Sequence, residues 1–383
     1  MMVPDESGRS PCRVDVHPWD RARALLPQAA QVSRALSFVG CPWTATFFAL
    51  TSLLALAQAP AGLDVPARSL PVPTTVSPQM QKLIGAPLNP RWNKIPGSVA
   101  DWKSQIRAAD ADAEKDLPAL REALKVKVEP TTIDGVKAYL VTPQSVPAAN
   151  RDRLLVHVHG GCFASSSGAS STEEAIYMAG IGGFKVIAID YRVPPDHPYP
   201  AALDDAMTVW RALTRTNAPK KMAIFGSSAG GNLTLAMVLR AKRDGLPLPA
   251  AIAPGTPMSD LTNAGDSFQT NAMVDNVLVA PGGNCDQRAK LYLAGHDPRD
   301  PMVSPVYGNL SSFPPTILTT GTRDLLLSST VRVHRKLRQA GVEASLQVYE
   351  GQSHAHYYSD PAAPETREAF GEIAEFFDRH LGR

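Results

Sequence analysis

Residues 224–232 read IFGSSAGGN, and the Gly-x-Ser-x-Gly spacing of GSSAG puts Ser228, rather than its neighbour Ser227, where a nucleophile would sit. A serine hydroxyl is unreactive by itself. It needs a base to take its proton, a carboxylate to orient that base, and N–H donors where an oxyanion develops. The segment TILTTGTRDLLL places Asp324 just after one apolar run, and SLQVYEGQSHAHYY places His354 just after the next. Of the nine histidines, His356 is the local competitor of His354, and Asp324 also reads as a helix N-cap, a role compatible with orienting a base. Upstream, LLVHVHGGCF offers the backbone of Gly160 and Gly161 as oxyanion donors, and the N–H of Ala229 is a third. Glycine lets such a backbone approach a reacting carbonyl closely. His159 reads as a brace for that loop, and His157, on the other side of its run, as a packed core histidine. Together these residues are equipped for acyl transfer through a covalent serine intermediate.

They can meet only if the chain folds so that all of them end up on one rim. KMAIFG reads as a strand and GGNLTLAMVLR as an apolar helix, so Ser228 falls on a sharp strand-to-helix turn. Further β-branched runs lie at 153–160, 185–191, 250–255, 316–321 and 345–351, mostly separated by helix-length segments. That alternation predicts a mostly parallel sheet covered on both faces, with the working residues in loops at the carboxyl ends of strands. Residues 126–142 read as a hairpin around Asp134-Gly135, and 101–125 have helical spacing. The stretch from Glu365 to Leu381 puts Phe370, Ile373, Ala374, Phe377 and Leu381 on one helical face. No Gly-rich phosphate loop is present, so nucleotide binding has no support.

The 383 residues are 44% hydrophobic, enough for a large core, and the net charge of +2 is scattered, which points away from nucleic acid and toward a small uncharged substrate. The four cysteines, Cys12, Cys41, Cys162 and Cys285, show no metal-ligand spacing and argue against both a metal site and a disulfide scaffold. No charged residue lies between Arg34 and Asp64, and ATFFALTSLLALA (Ala45 to Ala57) ends in Ala-Leu-Ala. Residues 1–57 therefore read as an export signal with an extended n-region, for a periplasmic or secreted protein, with a retained membrane anchor as the rival. The proline-rich 58–100 reads as a linker or irregular wrap, with the folded domain at 101–383.

Four stretches carry a family resemblance: HGGCF at 159–163, DYRVPPDHPYPAALDD at 190–205, GSSAGGN at 226–232, and DPRDPMVSP at 297–305 with GTRDLL at 321–326. Over roughly residues 100–383 the chain resembles the bacterial hormone-sensitive-lipase-like (family IV) carboxylesterases of the α/β-hydrolase superfamily. The resemblance implies an α/β-hydrolase fold, with an eight-stranded, mostly parallel sheet, helices on both faces, and a helical cap from the N-terminal helices and an insertion around 258–295. It further implies hydrolysis of short- to medium-chain esters, no cofactor, and a homodimer as one option. By position Ser228, Asp324 and His354 match the family triad, in its chain order, and Gly160, Gly161 and Ala229 its oxyanion donors. Amidase or lipase activity on the same triad, or a non-catalytic ligand-binding role, are the alternatives. Two departures stand out: Cys162 where the family has a third glycine, and Ser227 where it has Asp or Thr.

Overall fold

The computed structural model describes residues 62–382. The compact unit within it begins at Arg68. Residues 1–57, read as an export signal, lie outside the described residues, and Cys12 and Cys41 with them.

One eight-stranded sheet organises the unit, in the order β1-β2-β4-β3-β5-β6-β7-β8. Its strands are β1 (Val126–Ile133), β2 (Val136–Pro143), β3 (Leu154–Val158), β4 (Lys185–Ile189), β5 (Met222–Ser227), β6 (Ala251–Gly255), β7 (Thr316–Gly321) and β8 (Ala344–Tyr349). β2 runs antiparallel to both β1 and β4, and every other pairing is parallel. The hairpin turns at Asp134-Gly135, where both residues have positive φ.

Period-two alternation divides the strand side chains between two cores. Val156, Val158, Ile187, Ile189 and Ile224 enter one, with α5 (Ala201–Thr214), α6 (Ala229–Arg243) and α9 (Leu327–Gln339). Leu155, Val186, Ala188, Ala223 and Phe225 enter the other, with α3 (Leu117–Leu124), α4 (Glu173–Gly182) and α10 (Pro364–His380). Phe370, Ile373, Ala374, Phe377 and Leu381 are all buried there, as their spacing requires. A central strand covered on both faces has no solvent side, so all six residues of β5 are buried.

The helical spacing of 101–125 is realised as two helices, α2 (Val99–Glu114) and α3, with Pro118 in the first turn of the second, where its missing N–H costs nothing. One expectation needs correction. The segment 58–100 is not purely a linker. Ser77 accepts from the N–H of Met80, Pro78 opens α1 (Pro78–Ile84), and Met80 and Ile84 bury beside Ala363. The folded unit thus starts some thirty residues before 101, at Arg68. Between β6 and β7 the chain carries α7 (Ser267–Thr270) and α8 (Asn284–Leu293). Among the described residues no helix is long and apolar enough to cross a membrane.

Candidate active site

Ser228 stands between the last residue of β5 and the first of α6, with φ 62° and ψ −121°. A non-glycine residue pays heavily for positive φ, so the conformation is held by its surroundings. Its N–H donates to Gly255 O at 3.0 Å, and its carbonyl accepts from Asn232 and Met258, each at 3.0 Å. A Cβ on Gly230 would run into the carbonyls of Val158 and His159, so the turn can press against β3 only without a side chain there.

Ser227 is wholly buried and anchors the turn from below. Its N–H donates to Glu174 Oε2 at 3.0 Å and its hydroxyl to Glu174 Oε1 at 2.6 Å, and the same hydroxyl meets the Tyr357 hydroxyl. Glu174 also faces His157 Nε2 at 3.2 Å, so His157 is, as expected, a buried histidine of the core.

His354 Nδ1 lies 3.1 Å from Asp324 Oδ1. Both side chains are buried, and Asp324 is wholly so. Asp324 Oδ1 also accepts from the N–H of Leu326 at 2.8 Å, and Oδ2 from the hydroxyls of Thr320 (2.8 Å) and Thr256. Burial pushes the Asp324 carboxyl up, but the His354 imidazole and these hydrogen bonds hold it below the usual carboxylate range. Burial likewise pulls His354 down, but Asp324, and after it Asp275, lift it above the ordinary imidazole value. His356 has a different setting. Its Nδ1 accepts from the N–H of Ser353 at 3.3 Å, and burial pulls its pKa to about 4. The structure thus separates the two histidines that sequence spacing left as competitors.

On the opposite side, an added Cβ on Gly160 would come within 3.0 Å of Ser227 O and 3.4 Å of Ser228 Cβ, so its backbone lies against the turn that carries Ser228. Gly161, Cys162 and Phe163 follow with φ of 87°, 54° and 65°. His159 braces this bend. Its ring stacks on Tyr191 at 3.8 Å, its Nδ1 bonds Gly160 O at 3.0 Å, and burial drives its pKa to about 3, which keeps the ring neutral. Ala229 opens α6 and is wholly buried, with its N–H in the unbonded first turn of the helix.

Cys162 is disulfide-bonded to Cys285, a bridge that the sequence reading, which argued only against a disulfide scaffold, did not anticipate. Spacing could not show this, because the two are 123 residues apart and meet only through the fold. Cys285 lies on α8, which grips the same loop twice more: Phe163 stacks on Tyr292 at 4.1 Å, and Arg288 Nη1 donates to Ser165 Oγ at 2.7 Å. Between these parts lies a cavity of about 570 Å³ lined by Ser228, His354, Gly161, Trp92, Leu278 and the disulfide, among others. Its size suits a small molecule. With Nδ1 committed to Asp324, Nε2 is the imidazole nitrogen left for Ser228. No hydrogen bond yet closes between them among the described residues, a contact that commonly tightens only with substrate in place.

Residue spacing missed Thr256, Glu174, Tyr357 and Asp275. Thr256 has φ 32°, unusual for a β-branched residue, and its hydroxyl reaches Asp324 and lies 3.2 Å from His354 Nδ1. Its position directly after β6, at the carboxyl end of a strand like the other site residues, was the available signal. Glu174 and Asp275 carry no comparable mark.

Comparison with known proteins agrees with this geometry. Residues 155–358 match a family described as alpha/beta hydrolase fold. An esterase of Acinetobacter venetianus is 32% identical over 255 residues, which cover 66% of this chain and 82% of that one. An acetyl-hydrolase of Streptomyces hygroscopicus is 33% identical over 61% of this chain and 77% of its own. Among solved structures, esterase E25 superposes with a TM-score of 0.81 at 42% identity, covering 84% of this chain and 99% of that one. An esterase from the bacterial hormone-sensitive lipase family gives 0.64 at 27% identity, over 75% of this chain and all of the other.

Proposed function

Because the chain belongs to the α/β-hydrolase fold family, among the hormone-sensitive-lipase-like carboxylic ester hydrolases, we propose that it hydrolyses short- to medium-chain esters through a triad of Ser228, His354 and Asp324. The observation that carries this reading is the buried Asp324–His354 hydrogen bond beside a serine held at positive φ on the wall of the same cavity.

His354 Nε2 takes the proton of Ser228 as Oγ attacks the ester carbonyl. The N–H groups of Gly160, Gly161 and Ala229 hold the tetrahedral oxyanion, and the helix end beneath Ala229 adds its positive potential. The imidazolium returns the proton to the leaving alkoxide, and the alcohol departs. Water, deprotonated by the same nitrogen, then attacks the acyl-enzyme; the second tetrahedral intermediate collapses, the imidazolium returns its proton to Ser228 Oγ, and the carboxylic acid departs. Asp324 holds the imidazole in the tautomer that leaves Nε2 unprotonated, and stabilises the cation formed in each half-reaction. Helices α1 and α2 with the segment between them, and the insertion between β6 and β7, act as the cap, and Trp92 of that segment and Leu278 of the insertion face the substrate.

Ser228→Ala should lower turnover of p-nitrophenyl butyrate by about a million-fold and abolish fluorophosphonate labelling. Retained turnover would rule out the assignment. A series from acetate to dodecanoate tests the chain-length reading, and preference for the longest esters would favour a lipase. Matched anilides would expose amidase activity.

We also propose that residues 1–57 export the protein. The Cys162–Cys285 bond supports this, since such bonds persist in oxidising compartments.

A further inference from the structure

Four backbone N–H groups converge on one carboxylate that is not part of the proposed triad. Asp275, from the insertion between β6 and β7, is wholly buried. Its Oδ1 accepts from Val277 at 2.8 Å and Leu278 at 3.1 Å, which shapes its own turn. Its Oδ2 leaves that turn and accepts from Leu325 at 2.8 Å and His354 at 3.3 Å. Leu325 follows the proposed acid in sequence, and His354 is the proposed base. One oxygen therefore ties the loop after β7 to the loop after β8 at the two residues whose side chains must meet.

The next residue extends the link. Asn276 N–H donates to Ser353 Oγ at 3.2 Å, and its Nδ2 to Leu83 O at 2.8 Å and Ala86 O at 3.1 Å. Val277 and Leu278, whose N–H groups Asp275 holds, line the cavity with Ser228 and His354. Segment 275–278 thus joins the substrate wall, the acid loop, the base loop and the N-terminal arm.

We propose that Asp275 is a positioning residue for the reaction: its carboxylate sets the acid and base loops in register and couples that register to the cap segment lining the cavity. The inference rests on the assignment of Asp324 and His354 as acid and base. A surface turn could be capped by any Asp, but a carboxylate bonded to both triad loops controls the Asp324–His354 geometry, and small displacements there are costly to catalysis. Its charge acts on the same imidazole. The titratable groups bearing on His354 are Asp324 from the β7 loop, Asp275 from the insertion, and His356 from its own loop; Thr256, after β6, brings only a neutral hydroxyl.

Asp275→Asn keeps the size but turns an amide donor toward groups that are all donors. It should lower kcat on p-nitrophenyl butyrate by about a hundredfold, leave KM within about twofold, and slow fluorophosphonate labelling in parallel. Loss of the negative charge lowers the His354 pKa, so the acid limb of kcat/KM should move to lower pH. Unchanged kcat, or a drop in kcat with the acid limb unmoved, would overturn the proposal. Should the variant fail to fold, amide exchange in the unsubstituted protein decides. The Leu325 and His354 N–H groups should be protected as core amides are, and exchange at open-loop rates would overturn it. Ser228→Ala and His354→Ala serve as controls for the premise. If they stay active, the triad reading has failed; if they are dead while Asp275→Asn is unimpaired, only the role of Asp275 has.

Discussion

Asp324 receives an imidazole, two hydroxyls and an amide N–H on its two oxygens, so it is fully satisfied without water. A buried carboxylate with that many donors stays ionised and fixed in orientation, the two properties an orienting acid needs. Thr256 is the donor whose loss is most informative, because it touches both Asp324 and His354. Thr256→Val removes the hydroxyl while keeping the shape, and leaving one Asp324 lone pair unsatisfied costs about 1–3 kcal/mol. We expect kcat to fall by about tenfold or more, with Thr256→Ser retaining most of the activity. Equal kcat in both variants would show that Thr256 is mere packing. Ser227 makes a similar point about types. Where the resemblance calls for Asp or Thr, this chain places a serine whose hydroxyl and N–H both go to Glu174, so the departure changes the anchor of the nucleophile turn and keeps the turn itself.

At the scale of elements, the site is made of strand ends. Gly160 follows β3, Ser228 follows β5, Thr256 follows β6, Asp324 follows β7 and His354 follows β8, so a parallel sheet delivers all five to one rim. The β5–α6 turn was legible in the sequence because its glycines are required by close approach to β3. The attachment of α8 to the loop after β3 was not. It depends on a disulfide, a ring stack and a hydrogen bond between segments more than a hundred residues apart. Closing a loop of that length restricts the unfolded chain by up to about 5 kcal/mol. Reduction under native conditions should therefore lower the melting temperature by several degrees. Cys162→Ser with Cys285→Ser should reproduce the shift and be indifferent to reductant. A melting curve unchanged by reduction, with both thiols shown free by alkylation, would count against this role.

Across the whole molecule, the two cores and the helices on both faces follow from alternation in the strands and helical spacing between them, both readable along the chain. The start of the folded unit was misjudged because proline density marked 58–100 as irregular, while α1 is held by a cap at Ser77 and by contact with Ala363, near the other end of the chain. The proposed export belongs to the full chain, and on that proposal fractionation of cells making it should recover the esterase activity outside the cytoplasm, with residues 1–57 removed. Activity confined to the cytosol would refute export, and activity in membranes with the N-terminus intact would favour the anchor. What the sequence by itself determined was the fold class, the strand-to-helix turn that carries Ser228 and the chain order of Ser228, Asp324 and His354, since each is written in local spacing and in which residues end a strand. Only the tertiary structure decided which histidine meets Asp324, that Thr256 and Asp275 reach the same site, that Ser227 hangs from Glu174, and that Cys162 is bonded to α8. Those are contacts between segments far apart in the chain, and no local pattern encodes which distant partner a buried polar group will find.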